Sequence, residues 1–181
     1  MKCTACESGL LIPAYLEGLF PCHTCTDCGG NLVMLGDYLR WQDANENALF
    51  ISDTSTKVEI QETERALLCP KTGRLMTKYR IAKETEHRLD LSPHINAVWL
   101  DKGEWALLKE QGLAGRLNEI FTDHWQSDVR SKESADILDG LYAKRFGEHY
   151  ADIKAFRAKI DKMDERSEVI AYLLADDPYK P

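Results

Sequence analysis

The chain has 181 residues, 44% of them hydrophobic, and a formal net charge of −7. That apolar content suffices for one ordinary domain, or for two small modules with a helical part. The acidic balance argues against non-specific nucleic-acid binding by the surface as a whole, and no apolar run approaches the ~20 residues needed to cross a bilayer.

Charge and targeting signals refine this. Residues 43–64 carry Lys57 against six acidic side chains, whereas residues 65–110 carry nine Lys/Arg against six Asp/Glu. The one basic segment thus lies between acidic ones. Lys2 is followed by no apolar signal region, since Leu10-Leu11-Ile12 stops at Pro13. The expected compartment is therefore the reducing cytoplasm, with no membrane association.

The first thirty residues hold the strongest chemical signal. Cys3-Thr4-Ala5-Cys6 and Cys25-Thr26-Asp27-Cys28 are two Cys-x-x-Cys pairs separated by residues 7–24. A two-residue gap lets one tight turn aim two sulfurs at one ion, and two such turns supply the four ligands of a closed zinc site. Cys22-x-x-Cys25 repeats the spacing, so three thiols compete for two places. Gly29-Gly30 after Cys28 favours Cys25 and Cys28, because glycine takes the positive φ that leads the chain out of the turn. Cys22 then becomes a strand residue, an alternative ligand or a reactive thiol. Leu10–Ala14 and Leu19–His23 are expected strands around a Glu17-Gly18 turn. A short helix follows at 36–41, with Tyr38 and Trp41 leaning over the hairpin.

Residues 43–64 have the composition of an acidic linker, in which Val58 and Ile60 alternate with Glu59 as one possible exposed strand. At Cys69 the pattern begins again. With an offset of 67, Cys25 falls on Ser92, Cys28 on Ile95, Gly36 on Gly103 and Tyr38 on Trp105. The chain therefore carries two copies of one module. The second copy, with hairpin strands expected at 74–82 and 86–91, keeps Cys69 but has Thr72, Ser92 and Ile95 in the other ligand places. It is expected to fold without an ion, with Ile95 buried and Trp99 and Trp105 packed nearby. Even counting His87 or His94, it offers too few ligands.

Cys69-Pro70-x-x-Gly73-x-Leu75-Met76, a hairpin, and then Val98-Trp99-Leu100-Asp101-Lys102-Gly103-Glu104 resemble the transcription-factor-IIB-type zinc ribbon of small bacterial proteins. The likeness covers about half the chain. It implies Zn2+ at Cys3, Cys6, Cys25 and Cys28 and no enzyme activity.

Beyond the ribbons, a helix over 102–111 should end at Gly112. Thr122-Asp123 caps a long helix to Phe146, terminated by Gly147. A further helix covers 148–163, and Ser167 caps a last one before Pro178. Trp125, Val129, Leu138, Tyr142 and Phe146, then Tyr150, Ile153, Phe156, Ile160 and Met163, then Val169, Tyr172 and Leu173, keep near-helical spacing. They are read as the core of a small helical hairpin or bundle.

The expected class is α+β: an N-terminal zinc ribbon (1–42), the acidic linker (43–64), a degenerate metal-free ribbon plus helix (65–112) and a helical C-terminal region (113–181). There is no phosphate loop, no His-Glu-x-x-His and no nucleophile–base pattern, so neither an enzyme nor a small-molecule substrate is expected. The favoured function is a zinc-binding adaptor or regulator that engages a protein. Nucleic-acid or transcription-machinery binding is the alternative, through the basic residues Lys71, Arg74, Lys78, Arg80 and Lys83. On a strand, Arg74, Lys78 and Arg80 would share one face. Thiol redox sensing through Cys22 or Cys69 is the third reading.

Overall fold

The computed structural model describes residues 1–45, 63–83 and 85–179. Most of the acidic linker, with the strand expected at Val58–Ile60, lies outside them. The chain divides into two compact units, residues 1–131 and residues 132–181.

The first unit is built on one antiparallel sheet. Strand β1 (Leu11–Leu16) turns into β2 (Phe20–Cys25) through Glu17 and Gly18, which both adopt positive φ, 48° and 76°. That backbone matches the natural twist of a hairpin. Pro13 sits on β1, an edge strand, where its missing N–H costs no ladder bond. Strand β3 (Asn31–Met34) adds to β2, and the second copy supplies β4 (Thr77–Arg80), β5 (Arg88–Ser92) and β6 (Ala97–Leu100). The strand order is β1-β2-β3-β6-β5-β4. The two hairpins expected from the sequence are thus two three-stranded halves, joined edge to edge through β3 and β6.

The register of that joint relates the halves. Leu32 of β3 pairs with Trp99 of β6, and these two residues are 67 apart, the repeat offset. Each copy therefore meets the other through its own equivalent residue, and an approximate twofold axis passes through the Leu32–Trp99 pair. The backbone follows the same relation: Asn96 takes φ 47° where the first copy has Gly29 at φ 73°. The first cysteine turn of each copy is closed by a bridge starting at the residue before its first cysteine, Lys2 to Leu10 and Leu68 to Leu75.

Side chains that alternate along the central strands enter two cores on opposite sheet faces. Val33, Val98 and Leu100 join Phe20, Leu16 and Cys22 under the helices, while Leu32, Ala97 and Trp99 join Cys3, Cys25, Leu67, Cys69 and Met76 under the knuckles. Burial on both faces accounts for the unbroken apolar run Ala97-Val98-Trp99-Leu100. Helices α1 (Leu35–Ala44) and α2 (Glu104–Glu110) follow β3 and β6 in equivalent positions. Phe20 lies edge-on to both Tyr38 of α1 and Trp105 of α2, at 5.6 and 5.4 Å. The buried Tyr38 hydroxyl donates to the Ala114 carbonyl (3.0 Å) and accepts from the Leu117 amide (3.2 Å), which anchors the 3-10 turns that follow α2. Burial pushes its phenol up to about 12.

Gly112, at φ 69°, ends α2 as anticipated. The long helix α3 spans Asp123–Phe146, and the Trp125 amide donates to the Thr122 hydroxyl at its start.

The second unit contains the rest of α3, then α4 (Tyr150–Ile160) and α5 (Arg166–Leu174). Asp139 of α3 accepts from Tyr150 and Lys154 of α4, at 2.5 Å each. Phe146 stacks on Tyr142 and Tyr150. Two expectations fail here. Ser167 lies inside α5, which begins at Arg166 without a side-chain cap. The apolar positions of this unit are also not a core. Leu138, Tyr142, Phe146, Ile153, Phe156, Met163, Tyr172 and Leu173 are all exposed, and Ile160 alone is buried among the described residues of the unit. Helical periodicity gave each helix an apolar face, but a face becomes a core only when another element covers it.

Candidate metal centre

The first knuckle is shaped by two backbone-directed bonds. The Cys3 amide donates to the Gly9 carbonyl (2.9 Å), and the Gly9 amide returns to the Cys6 sulfur (3.3 Å). The second knuckle is tied by the Cys25 amide to the Gly30 carbonyl (2.8 Å), while the Asp27 amide points at the Cys25 sulfur (3.5 Å). Both knuckles converge. Cys3 Sγ lies 3.9 Å from Cys28 Sγ, Cys6 Sγ lies 3.6 Å from Cys25 Sγ, and all four sulfurs fall within 4.8 Å of one another. Cys3 and Cys25 are buried and Cys6 and Cys28 half-buried. This is the one such group among the described residues, and it could hold a metal ion.

Its electrostatics ask for a cation. Burial and the neighbouring thiols push Cys3 and Cys28 up, although backbone amides pull the other way. Hydrogen bonds from Ser8, then Gly9, bring Cys6 down to about 6. Four thiolates packed this closely repel one another, and a divalent cation among them reverses that balance.

Two glycines have roles that the sequence did not reveal. A Cβ on Gly9 would overlap Cys25 Sγ and come within 3.0 Å of Asp27. Gly30 does not take positive φ, as Gly29 does. Its purpose is space: a Cβ there would overlap the Trp99 ring, with Cε2 at 2.9 Å. No local signal distinguishes such a glycine, because the atoms that need the room belong to the other copy or the other knuckle.

Cys22 lies buried on β2 outside the sulfur group, 3.5 Å from Thr24 Oγ1 and 3.8 Å from Asn31 Oδ1, and burial pushes its thiol up. In the second copy the Cys69 amide donates to the Arg74 carbonyl (2.7 Å) and the Gly73 amide to the Cys69 carbonyl (2.8 Å), so the knuckle backbone is retained. Burial pushes the Cys69 thiol up. The neighbouring Ser92 and Thr72 hydroxyls and two backbone amides outweigh this and bring it below the ordinary value. Hydroxyls thus stand where sulfurs would. Ile95 is half-buried rather than buried as expected, while Trp99 and Trp105 are both buried. His94 is exposed and faces the Arg74 guanidinium at 3.1 Å.

The basic residues do not line up as one open stripe. Lys78 donates to the buried Asp90 carboxylate (2.9 Å) and to the Thr63 carbonyl (2.6 Å). Arg80 pairs with Glu86 at 2.9 Å. Lys71 and Arg74 are exposed outside β4, and Lys83 is half-buried. A further polar cluster, missed in the sequence, sits beside them. Asp101 accepts from the Thr63 amide (2.5 Å) and hydroxyl (2.9 Å) and from Trp99 Nε1 (2.6 Å), while its own amide donates to the buried Glu104 (2.7 Å). The Trp-Leu-Asp-x-Gly-Glu string at 99–104 is therefore a hydrogen-bonded corner that ends β6 and starts α2.

Comparisons with protein-family models, with curated proteins and with solved structures give no match. No helix among the described residues is long and apolar enough to cross a membrane.

Proposed function

We propose that this chain is a non-enzymatic, zinc-binding adaptor that presents its fused ribbon pair to a protein partner. The convergence of four cysteine sulfurs carries the reading. Zinc held by four thiolates at about 2.3 Å in a tetrahedron separates the sulfurs by about 3.8 Å, and the observed 3.6 and 3.9 Å lie on either side of that value. Such a site is closed and leaves no position for substrate or water, so its role is structural. Cys3, Cys6, Cys25 and Cys28 would hold the ion, and the likeness to transcription-factor-IIB-type ribbons fits the same ligand set. A protein partner is favoured over nucleic acid because Lys78 and Arg80 are already engaged by Asp90 and Glu86, and the chain as a whole is acidic.

Structural zinc contributes roughly 10–16 kcal/mol of apparent binding energy in small ribbon and finger peptides. Elemental analysis should find one zinc per chain, lost in Cys28→Ser. Two metals, or none in a folded protein, would sink the zinc reading. Capture of a partner from native lysate should survive nuclease treatment, whereas capture abolished by nuclease supports the nucleic-acid reading.

A further inference from the structure

The second unit exposes thirteen large apolar side chains, each 37–82% accessible, eleven of them on its helices. Helices of 11 and 9 residues, the lengths of α4 and α5, are marginal in water unless an apolar face is buried. Among the described residues of the unit that burial is almost absent, so its helices do not cover one another's apolar faces.

We infer that this surface is covered by the same unit of a second copy, two helical hairpins closing into a bundle. Area is the first argument. At ~150–200 Å² for a large side chain, the exposed apolar groups offer roughly 1,000 Å² per chain, and a stable interface uses about 800 Å² from each partner. Charge is the second. Residues 132–181 carry nine Lys/Arg against eleven Asp/Glu, so the surface has no strong single-sign field to repel its own copy or to draw a polyanion or an acidic membrane. The third is the composition of the stripe on α3. Ile137, Leu138 and Leu141 are exposed on one side, while Asp139 and Phe146 are turned to α4. The hairpin has thus used one side of α3 and left the apolar one, and two such stripes pack against each other by the ordinary rules of helix bundles. This inference does not depend on the zinc reading.

Sedimentation velocity of the full chain tests it. Between about 1 and 100 μM, a range in which micromolar Kd values are read, the species should shift from the 20.6 kDa chain mass to twice that value. Leu141→Glu and Phe156→Glu should each raise the dimer Kd at least ~100-fold, because each places a charge in a desolvated interface. Tyr15→Glu, at an exposed apolar residue of β1, should leave association unchanged. Amides of residues 137–174 should exchange faster on dilution of the unaltered chain, which keeps the test valid if a variant loses helicity. A chain that stays monomeric over the whole range overturns the inference, even if it then captures another protein or binds vesicles. So does a dimer that dissolves with Tyr15→Glu but not with Leu141→Glu.

Discussion

Gly30→Ala should be among the more damaging single changes in the first unit, although it adds one methyl group. The added Cβ would overlap Cζ2 of Trp99 and lie 2.9 Å from Cε2 and 3.0 Å from Cη2. The ring has little room to yield. It is buried, and its Nε1–H donates to Asp101, which is itself held by Thr63. Nor can the strand retreat easily, because the Gly30 carbonyl accepts from the Cys25 amide and so supports the second knuckle. Overpacking a tight core costs about 1–3 kcal/mol, and a ring pinned at both ends places this change near the upper limit. At about 3–4 °C per kcal/mol for a unit of this size, the protein should lose ~10 °C of Tm. Near-UV circular dichroism during thermal unfolding would follow the tryptophan environment. Gly36→Ala is the control. Gly36 lies in α1 with nothing within 4 Å of its would-be Cβ, and alanine is favoured there by up to about 1 kcal/mol. A Gly30→Ala protein within about 0.5 kcal/mol of the original, or a Gly36→Ala protein equally weakened, would refute the reasoning.

Three further outcomes are expected. Tyr38→Phe removes a hydroxyl that serves two buried backbone groups, so urea titration should show a loss of about 1–3 kcal/mol; a silent change would mean that water satisfies the Ala114 and Leu117 groups. Lys78→Gln removes the cation beside the buried Asp90 and should cost about 2–3 kcal/mol, discounted because Lys78 keeps some solvent exposure. If the variant is as stable as the original but loses nucleic-acid affinity and salt dependence, Lys78 serves phosphate rather than the fold. Ile95→Ala should cost less than the ~2–5 kcal/mol of a fully buried isoleucine, since Ile95 is half-buried; a loss above that range in a denaturant series would place it at the centre of the core.

Features that depend on neighbouring residues were legible along the chain. Two Cys-x-x-Cys spacings located the cysteine cluster, Glu17-Gly18 placed the first turn, and Gly112 and Gly147 marked helix ends, because turn and cap conformations are set within a few residues. The 67-residue offset exposed the two copies, since repeated local chemistry is visible along the chain. How the copies meet was not legible there. The β3–β6 pairing, the room that Gly30 leaves for Trp99 and the exclusion of Cys22 from the sulfur group all depend on which residues are brought across the sheet. The same holds for charge and for burial. A lysine at position 78 reads as a free cation until Asp90 folds beside it, and an apolar helical face reads as core until the fold leaves it open, because spacing specifies a face and only a packed partner buries it.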